Sequence, residues 1–216
     1  MNHPRAYVIT VQNIPASVNV AKRCIDSAKK FGLKVEHHSG FTPKDNPKEY
    51  LTQRGIPLDG FKEKYSRLDR CIAAFCSHFS LWEYARNDNK EIIIFEHDAV
   101  MINELPLMNF EHVITFGKPS YGKYNIPYNI GVNPLTHKRY FGGAHAYSLK
   151  PEGAKILIEG AKKNAGPTDV FLHLDNFPTL QEYYPWVAEV KENFSCIQKE
   201  AGCLAKHEYD ETYWLL

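Results

Sequence analysis

"EIIIFEHDAV", residues 91–100, joins four consecutive apolar residues to the triplet Glu96-His97-Asp98. An apolar run this short and without alternation reads as a strand buried on both faces, as in a parallel sheet covered by helices. In open α/β sheets, ligands bind beyond the carboxyl ends of the strands, where the connections diverge. The triplet stands at such an end. Extended geometry points Glu96 and Asp98 to one side and His97 to the other. Two carboxylates facing one crevice repel unless a cation or proton lies between them. Hard oxygen ligands favour Mg²⁺ or Mn²⁺, and such an ion brings substrate phosphates into its shell. The chemistry that fits is departure of a phosphate-bearing leaving group, whose developing charge the ion neutralises. An acidic strand end that only faces water or caps a turn has the same sequence, so the neighbouring segments must decide.

Upstream, "AYVITVQN" (6–13) is apolar and rich in β-branched residues, and predicts a buried strand. "SVNVAKRCIDSAKKFG" (17–32) sets Ala21, Cys24, Ile25 and Ala28 at helical spacing, with Gly32 placed as a cap. "LKVEHHSG" (33–40) returns as a strand, completing a βαβ unit. Residues 41–65, with three prolines and two glycines, predict an irregular excursion. "SRLDRCIAAFCSHFSLWEYARNDN" (66–89) is the clearest helix. Leu68, Cys71, Ile72, Phe75, Phe79 and Trp82 form one stripe, and Ser66 with Asp69 resembles a capping box.

Beyond the central run, "FEHVITFG" (110–117) and "GGAHAYSL" (142–149) predict strands, and "PEGAKILIEGAKK" (151–163) a helix opened by Pro151. "PTDVFLHL" (167–174) predicts the start of a last helix capped by Thr168. Residues 117–141 read as a long loop, and the tail from 185 shows no clear period. The expectation is an α/β fold: a Rossmann-type mixed, mainly parallel sheet flanked by helices, in one domain over 1–216.

The 216 residues, 44% hydrophobic and 24% charged, are enough to bury a substantial core. A formal net charge of +1 excludes a global field that recruits nucleic acid or anionic membrane, so any such contact needs a local patch. No apolar run approaches the roughly 20 residues of a bilayer crossing. "MNHPRAYVITVQN" lacks the basic start and apolar stretch of a signal peptide. Five cysteines, odd in number and without a CxxC pair, point to a reducing, cytoplasmic compartment rather than to disulfides or zinc. Neither GxxxxGK[ST] nor GxGxxG occurs.

Four of these segments, in this order, resemble glycosyltransferase family 25, the lipooligosaccharide-biosynthesis type. "AFCSHFSLWEYA" is similar to the family's Ser-His-x-x-Leu-Trp helix, and "EIIIFEHDAV" to its apolar strand ending in Glu-Asp-Asp. "GGAHAYSLKPEGAKIL" looks like its later Gly-x-x-x-Tyr-x-(Ser/Ile) strand and helix, and "PTDVFL" like its Pro-x-Asp-x-x-(Leu/Phe) segment. "YVITVQN" matches the opening strand more loosely, and the pieces together span most of residues 6–175.

The resemblance implies a GT-A-like fold and an inverting, metal-assisted transfer from a nucleotide sugar, UDP-linked being the expected donor, to an acceptor hydroxyl. It implies Mn²⁺ or Mg²⁺, with Asp98 as leading ligand and Glu96 on the metal's waters or the donor ribose. His97 stands where the family usually has Asp, and imidazole is an acceptable Mn²⁺ ligand. Asp169 matches the acid of the Pro-x-Asp segment and is the candidate base for the acceptor hydroxyl; an Asp in a first helical turn also stabilises the helix dipole. Donor contact falls by position on Gln12 and Asn13, since Lys22 and Arg23 come later than the family's Arg-rich helix start. "RCIAA" replaces the family's Gly-Glu-x-Gly-Cys stretch. Both departures mark a divergent member. His78 and Ser77 read as interior groups holding the helix against the central strand.

"GKPSYGKYNIPYNIGVNPLTHKRYFGG" (117–143) interleaves Lys118, Lys123, Lys138 and Arg139 with Tyr121, Tyr124, Tyr128 and Tyr140. Rings among cations suit stacking on sugars, or on nucleobases beside phosphates. Tyr121, Lys123 and Tyr124 are the acceptor-binding candidates, on a loop long enough to cover a site; a solvated, tyrosine-anchored loop has the same composition. Two acceptors compete: a glycan under cytoplasmic assembly in a bacterium, or a hydroxymethylated DNA base in a phage-infected cell. From another class, an inert carbohydrate- or nucleotide-binding module of the same fold accounts for the same segments. A metal-dependent phosphoesterase needs more clustered His and Asp than ten scattered histidines provide.

Overall fold

The computed structural model describes residues 3–62, 67–191, 194–197 and 214–215. The βαβ start forms where the pattern puts it: β1 (Arg5–Thr10), α1 (Pro15–Lys30) and β2 (Val35–Ser39). Pro15 opens α1, where its missing N–H is one of the unpaired donors anyway. Gly32, at φ 76°, makes the left-handed turn that ends it. The excursion holds a 3-10 turn (Pro43–Asp45) and the short helix α2 (Pro47–Thr52). Helix α3 (Leu68–Asp88) has Arg67 as its N-cap and closes on left-handed Asn89; Ser66 of the expected capping box lies outside the described residues. Then come β3 (Ile92–Glu96), β4 (Ala99–Met101), β5 (Val113–Thr115), β6 (Gly131–Pro134) and β7 (Ala146–Leu149). They are followed by α4 (Pro151–Lys163), the single turn α5 (Thr168–Phe171), β8 (Gln181–Tyr184) and β9 (Ala188–Val190). A short parallel pair, β10 (Phe194–Ser195) and β11 (Trp214–Leu215), completes the described elements.

Seven strands make one sheet in the order β2-β1-β3-β7-β5-β8-β6. β1 pairs in parallel with β2 and β3, and β5 with β8, while β7 and β6 run antiparallel to their neighbours. β1, β2, β3, β5 and β8 thus share one direction, the mixed, mainly parallel arrangement of a Rossmann-like α/β fold.

Alternation along the strands sets the layers. Tyr7, Ile9, Ile92 and Ile94 join Phe75, Phe79, Trp82, Leu157 and Phe171 in one apolar cluster beneath α2 to α5. Ala6, Val8, Ile93 and Phe95 face the other way, onto Ala21, Cys24 and Ala28 of α1 and Ala99, Met101 and Ala188 of the β4–β9 ribbon. The second face is therefore covered by a helix and a ribbon rather than by helices alone. β3 serves both clusters, which is why its run is apolar throughout. Each large side chain fully buried here contributes about 1.5–3 kcal/mol. α3 is buried well beyond its stripe, with Cys76, Ser77, His78 and Leu81 also inside, because α2 and α4 both pack on it.

The structure corrects the sequence pattern at two points near the candidate site. β3 does not continue to residue 100: it stops at Glu96, turns through His97 and Asp98, and restarts as β4 in a separate sheet. Side-chain alternation therefore ends at Glu96 and cannot pair it with Asp98. Thr168 is the first helical residue of α5, with Pro167 as N-cap, and the helix lasts one turn because Leu172 leaves helical geometry at ψ 68°. Among the described residues no helix is long and apolar enough to cross a membrane, and Cys24, Cys76 and Cys196 are free thiols.

Candidate functional site

From β1 the chain passes through α1 to β2 on one side, while β3 lies on the other. The gap between the carboxyl ends of β1 and β3 is the switch point at which open α/β sheets hold ligands. Gln12 and Asn13 form the exposed turn after β1, at this gap. Ser17 in the first turn of α1 ties its two edges. Its hydroxyl oxygen accepts the Val11 N–H at 2.9 Å, and the same hydroxyl shares a hydrogen bond with His97 Nδ1 at 2.8 Å. Burial brings His97 down to about 4 despite the pull of the Glu96 charge, with the Arg23 cation adding to the fall. The ring is neutral at neutral pH, and its Nδ1 is engaged by Ser17.

On the α3 face, a relay of hydrogen bonds fixes Glu96. The Trp82 indole only donates, and it donates to the Tyr147 hydroxyl at 2.9 Å. The Tyr147 proton then goes to His78 Nδ1 at 2.9 Å, leaving His78 Nε2–H to donate to Glu96 Oε1 at 3.1 Å. Glu96 keeps 36% of its side chain exposed. Burial opposes its charge, but the His78 bond and the nearby His145 and His97 hold the carboxyl below its ordinary value. His78 therefore holds helix to strand, as its place on the apolar face suggests, and aims the acid as well. Ser77 is structural: it accepts the Phe41 N–H and donates to the Ala73 carbonyl.

Asp169 arrives from α5. The Tyr121 hydroxyl donates to its Oδ2 at 2.5 Å, and the Val170 N–H to its Oδ1 at 2.9 Å. Burial raises the Asp169 carboxyl, those two bonds oppose the rise, and the charge of Glu96 adds to it. Environments that push two acids apart in this way suit a division into ionised and proton-accepting roles. The Tyr121 ring stacks on Tyr140 at 6.2 Å, Tyr140 stacks on His173 at 6.0 Å, and Lys138 Nζ sits 4.6 Å above Tyr121. Beside them a groove of about 790 Å³ is lined by Lys123, Tyr124, Asn125, Lys138, Tyr140 and His173, among others. Tyr124 packs edge-on against Trp186 at 5.6 Å. Lys123 and Tyr124, two of the three loop residues singled out in the sequence, thus line this groove, and the third, Tyr121, stacks on its wall residue Tyr140 and bonds Asp169.

Asp98 does not join Glu96. Burial, with the Asp98 charge added, pushes the Cys24 thiol of α1 up to about 12, and the Asp98 carbonyl accepts the Lys191 N–H at 3.0 Å. The triplet fans out: Glu96 to α3, His97 to the start of α1, Asp98 toward Cys24. Among the described residues no three His, Cys, Asp or Glu side chains converge as a metal-holding group. The donor set among the described residues does not fit a resident Mn²⁺ or Mg²⁺.

Sequence reading missed His145. It is 1% exposed, and neither ring nitrogen has a hydrogen-bond partner. Burial brings it down to about 4. A Cβ at Gly117 would lie 2.4 Å from its Nε2, and one at Gly143 2.7 Å from its Nδ1, so both glycines are the walls of its slot. Its carbonyl accepts the Glu96 N–H at 3.0 Å. Also missed was Glu182, fully buried, whose carboxylate meets His137 Nδ1 at 2.7 Å and accepts from Thr136 and the His137 amide. Its signal in the sequence, one acid in "LQEYY", was too slight to notice.

Compared with known proteins, the chain matches no family model and no curated protein sequence.

Proposed function

We propose that the protein transfers a sugar from a nucleotide-sugar donor to an acceptor hydroxyl. The donor occupies the gap between β1 and β3, and the acceptor the groove beside residues 117–143. The observation that carries this reading is the meeting of Tyr121 and Asp169 at 2.5 Å, beside an aromatic and cationic groove and within the field of Glu96. A carboxylate whose proton affinity is raised by burial suits the role of base. Asp169 takes the acceptor proton as the acceptor oxygen attacks the anomeric carbon from the side opposite the nucleotide, which gives inversion. α1 begins at the same gap, and no side chain caps its first N–H groups; a helix N-terminus favours the departing phosphate charge. Glu96, held ionised by His78, orients the donor through its ribose hydroxyls. The acceptor is a glycan, with a hydroxymethylated DNA base as the competing substrate.

A second reading, an inert nucleotide- or carbohydrate-binding module, is favoured by the fanning out of Glu96, His97 and Asp98. Both readings are tested by melting the protein with UDP-sugars, with and without Mn²⁺, followed by a turnover assay. One nucleotide sugar is expected to raise the melt, since a ligand at a hundred times its Kd stabilises by about 2.7 kcal/mol, and Glu96→Gln is expected to lose the shift. If no nucleotide sugar moves the melt, the transfer reading fails. Binding without turnover favours the inert module. A Mn²⁺ requirement abolished by Asp98→Ala would restore the triplet as a metal site.

A further inference from the structure

We infer that residues 118–139 carry a docking surface for an anionic lipid bilayer. Between Glu111 and Glu152 the chain has no acidic residue, yet it has Lys118, Lys123, Lys138, Arg139 and Lys150. A chain of net charge +1 therefore concentrates cations in one segment, the local patch that its overall charge does not supply. Lys118 and Lys123 are exposed. Arg139 is paired with Asp175, so the uncompensated charge rests mainly on the lysines.

The same segment exposes apolar side chains in succession: Ile126 at 60%, Tyr128 at 103% and Ile130 at 81%, with the Tyr124 ring at the edge of exposure. This is a built protrusion. Pro127 between them is buried, Asn125 bonds through both its backbone and its side chain to residues 136 and 137, and Asn133 Nδ2 donates to the carbonyls of Asn129 and Gly131 at 2.9 Å. Val170, next to the Asp169 that Tyr121 binds, is exposed as well.

Aliphatic side chains held out in water beside lysines and tyrosines are what a headgroup boundary receives. The apolar groups enter the acyl edge, the tyrosines sit at the interface, and the lysines meet anionic headgroups. A nucleic-acid surface would use the tyrosines and lysines but has little use for two exposed isoleucines. The surface includes Lys123, Tyr124 and Lys138 of the groove beside Tyr121, so a docked protein would meet acceptor groups carried at the bilayer. The inference does not depend on sugar transfer: vesicle binding reads this surface, and the donor melt reads the gap at β1 and β3, so either can fail alone.

The test is flotation of the full chain with phosphatidylcholine vesicles, with and without phosphatidylglycerol. The protein is expected to float with the anionic vesicles at least roughly tenfold more than with the neutral ones, and less as salt is added. The triple variant I126S/Y128S/I130S is expected to lose flotation while keeping its circular dichroism melt, since all three side chains are exposed. Absence of flotation, or equal flotation by the folded triple variant, overturns the inference. So does retention on DNA without flotation, or a self-association that the triple variant abolishes without flotation in the parent.

Discussion

Glu96 and Asp169 are two carboxylates at one end of one sheet, and what separates them is their neighbours. Glu96 receives a proton donor from His78, and Asp169 answers to burial first, with Tyr121 working against it. Asp169→Asn keeps the shape and the acceptor for the Val170 N–H, with the Tyr121 hydroxyl turning to accept from Nδ2, so the fold should persist while transfer falls by about 10²–10⁴. Turnover close to that of the parent in a coupled nucleotide-release assay removes Asp169 from the role of base. Tyr121→Phe removes a bond that favours the charged carboxylate, so the acid limb of the pH–rate profile should move to higher pH. No movement would mean that another group sets that limb. Of these residues, Asp169 and Tyr121 were visible in the sequence only separately, because they stand 48 positions apart and the single bond that joins them is tertiary.

At the scale of elements, α4 rests on the sheet through Gly153. A Cβ there would lie 2.3 Å from the backbone carbonyl of His112, which cannot swing aside. Helix propensity alone favours Gly153→Ala by about 0.8–1 kcal/mol. Overpacking costs about 1–3 kcal/mol, so the variant should be less stable in a urea melt; a gain would show that α4 has room to shift. β8 depends on a different device. Glu182→Ala leaves His137 and the Thr136 amide without their shared acceptor, and a buried donor left unsatisfied costs about 1–3 kcal/mol. That loss should appear in the same melt. The helical stripe of α3 and the apolar run of β3 were legible because burial leaves a period in the sequence. β8, the ribbon of β4 and β9, and the break after Glu96 were not, since short mixed strands leave none.

For the molecule as a whole, acid is the revealing stress. Burial holds His38, His97 and His145 near 4, against an ordinary value of 6.5. Between those values the unfolded chain binds protons that the folded chain refuses, so stability falls as pH drops from 6.5 toward 4. The melting temperature should decline across that window, and more shallowly in His145→Gln, which removes one of the three; an unchanged slope would show that His145 already binds its proton in the folded state. By itself the sequence determined which segments are buried, hence the βαβ start, the central strand, the long helices and the α/β class. Burial requires only a local pattern of apolar residues. Only the tertiary structure decided where Glu96, His97 and Asp98 point, because a turn after one strand undid the alternation that would have joined them. It alone brought Tyr121 to Asp169, walled His145 between two glycines, and set Ile126, Tyr128 and Ile130 out in water. Those outcomes depend on packing between residues distant in sequence, and such packing leaves no local period to read.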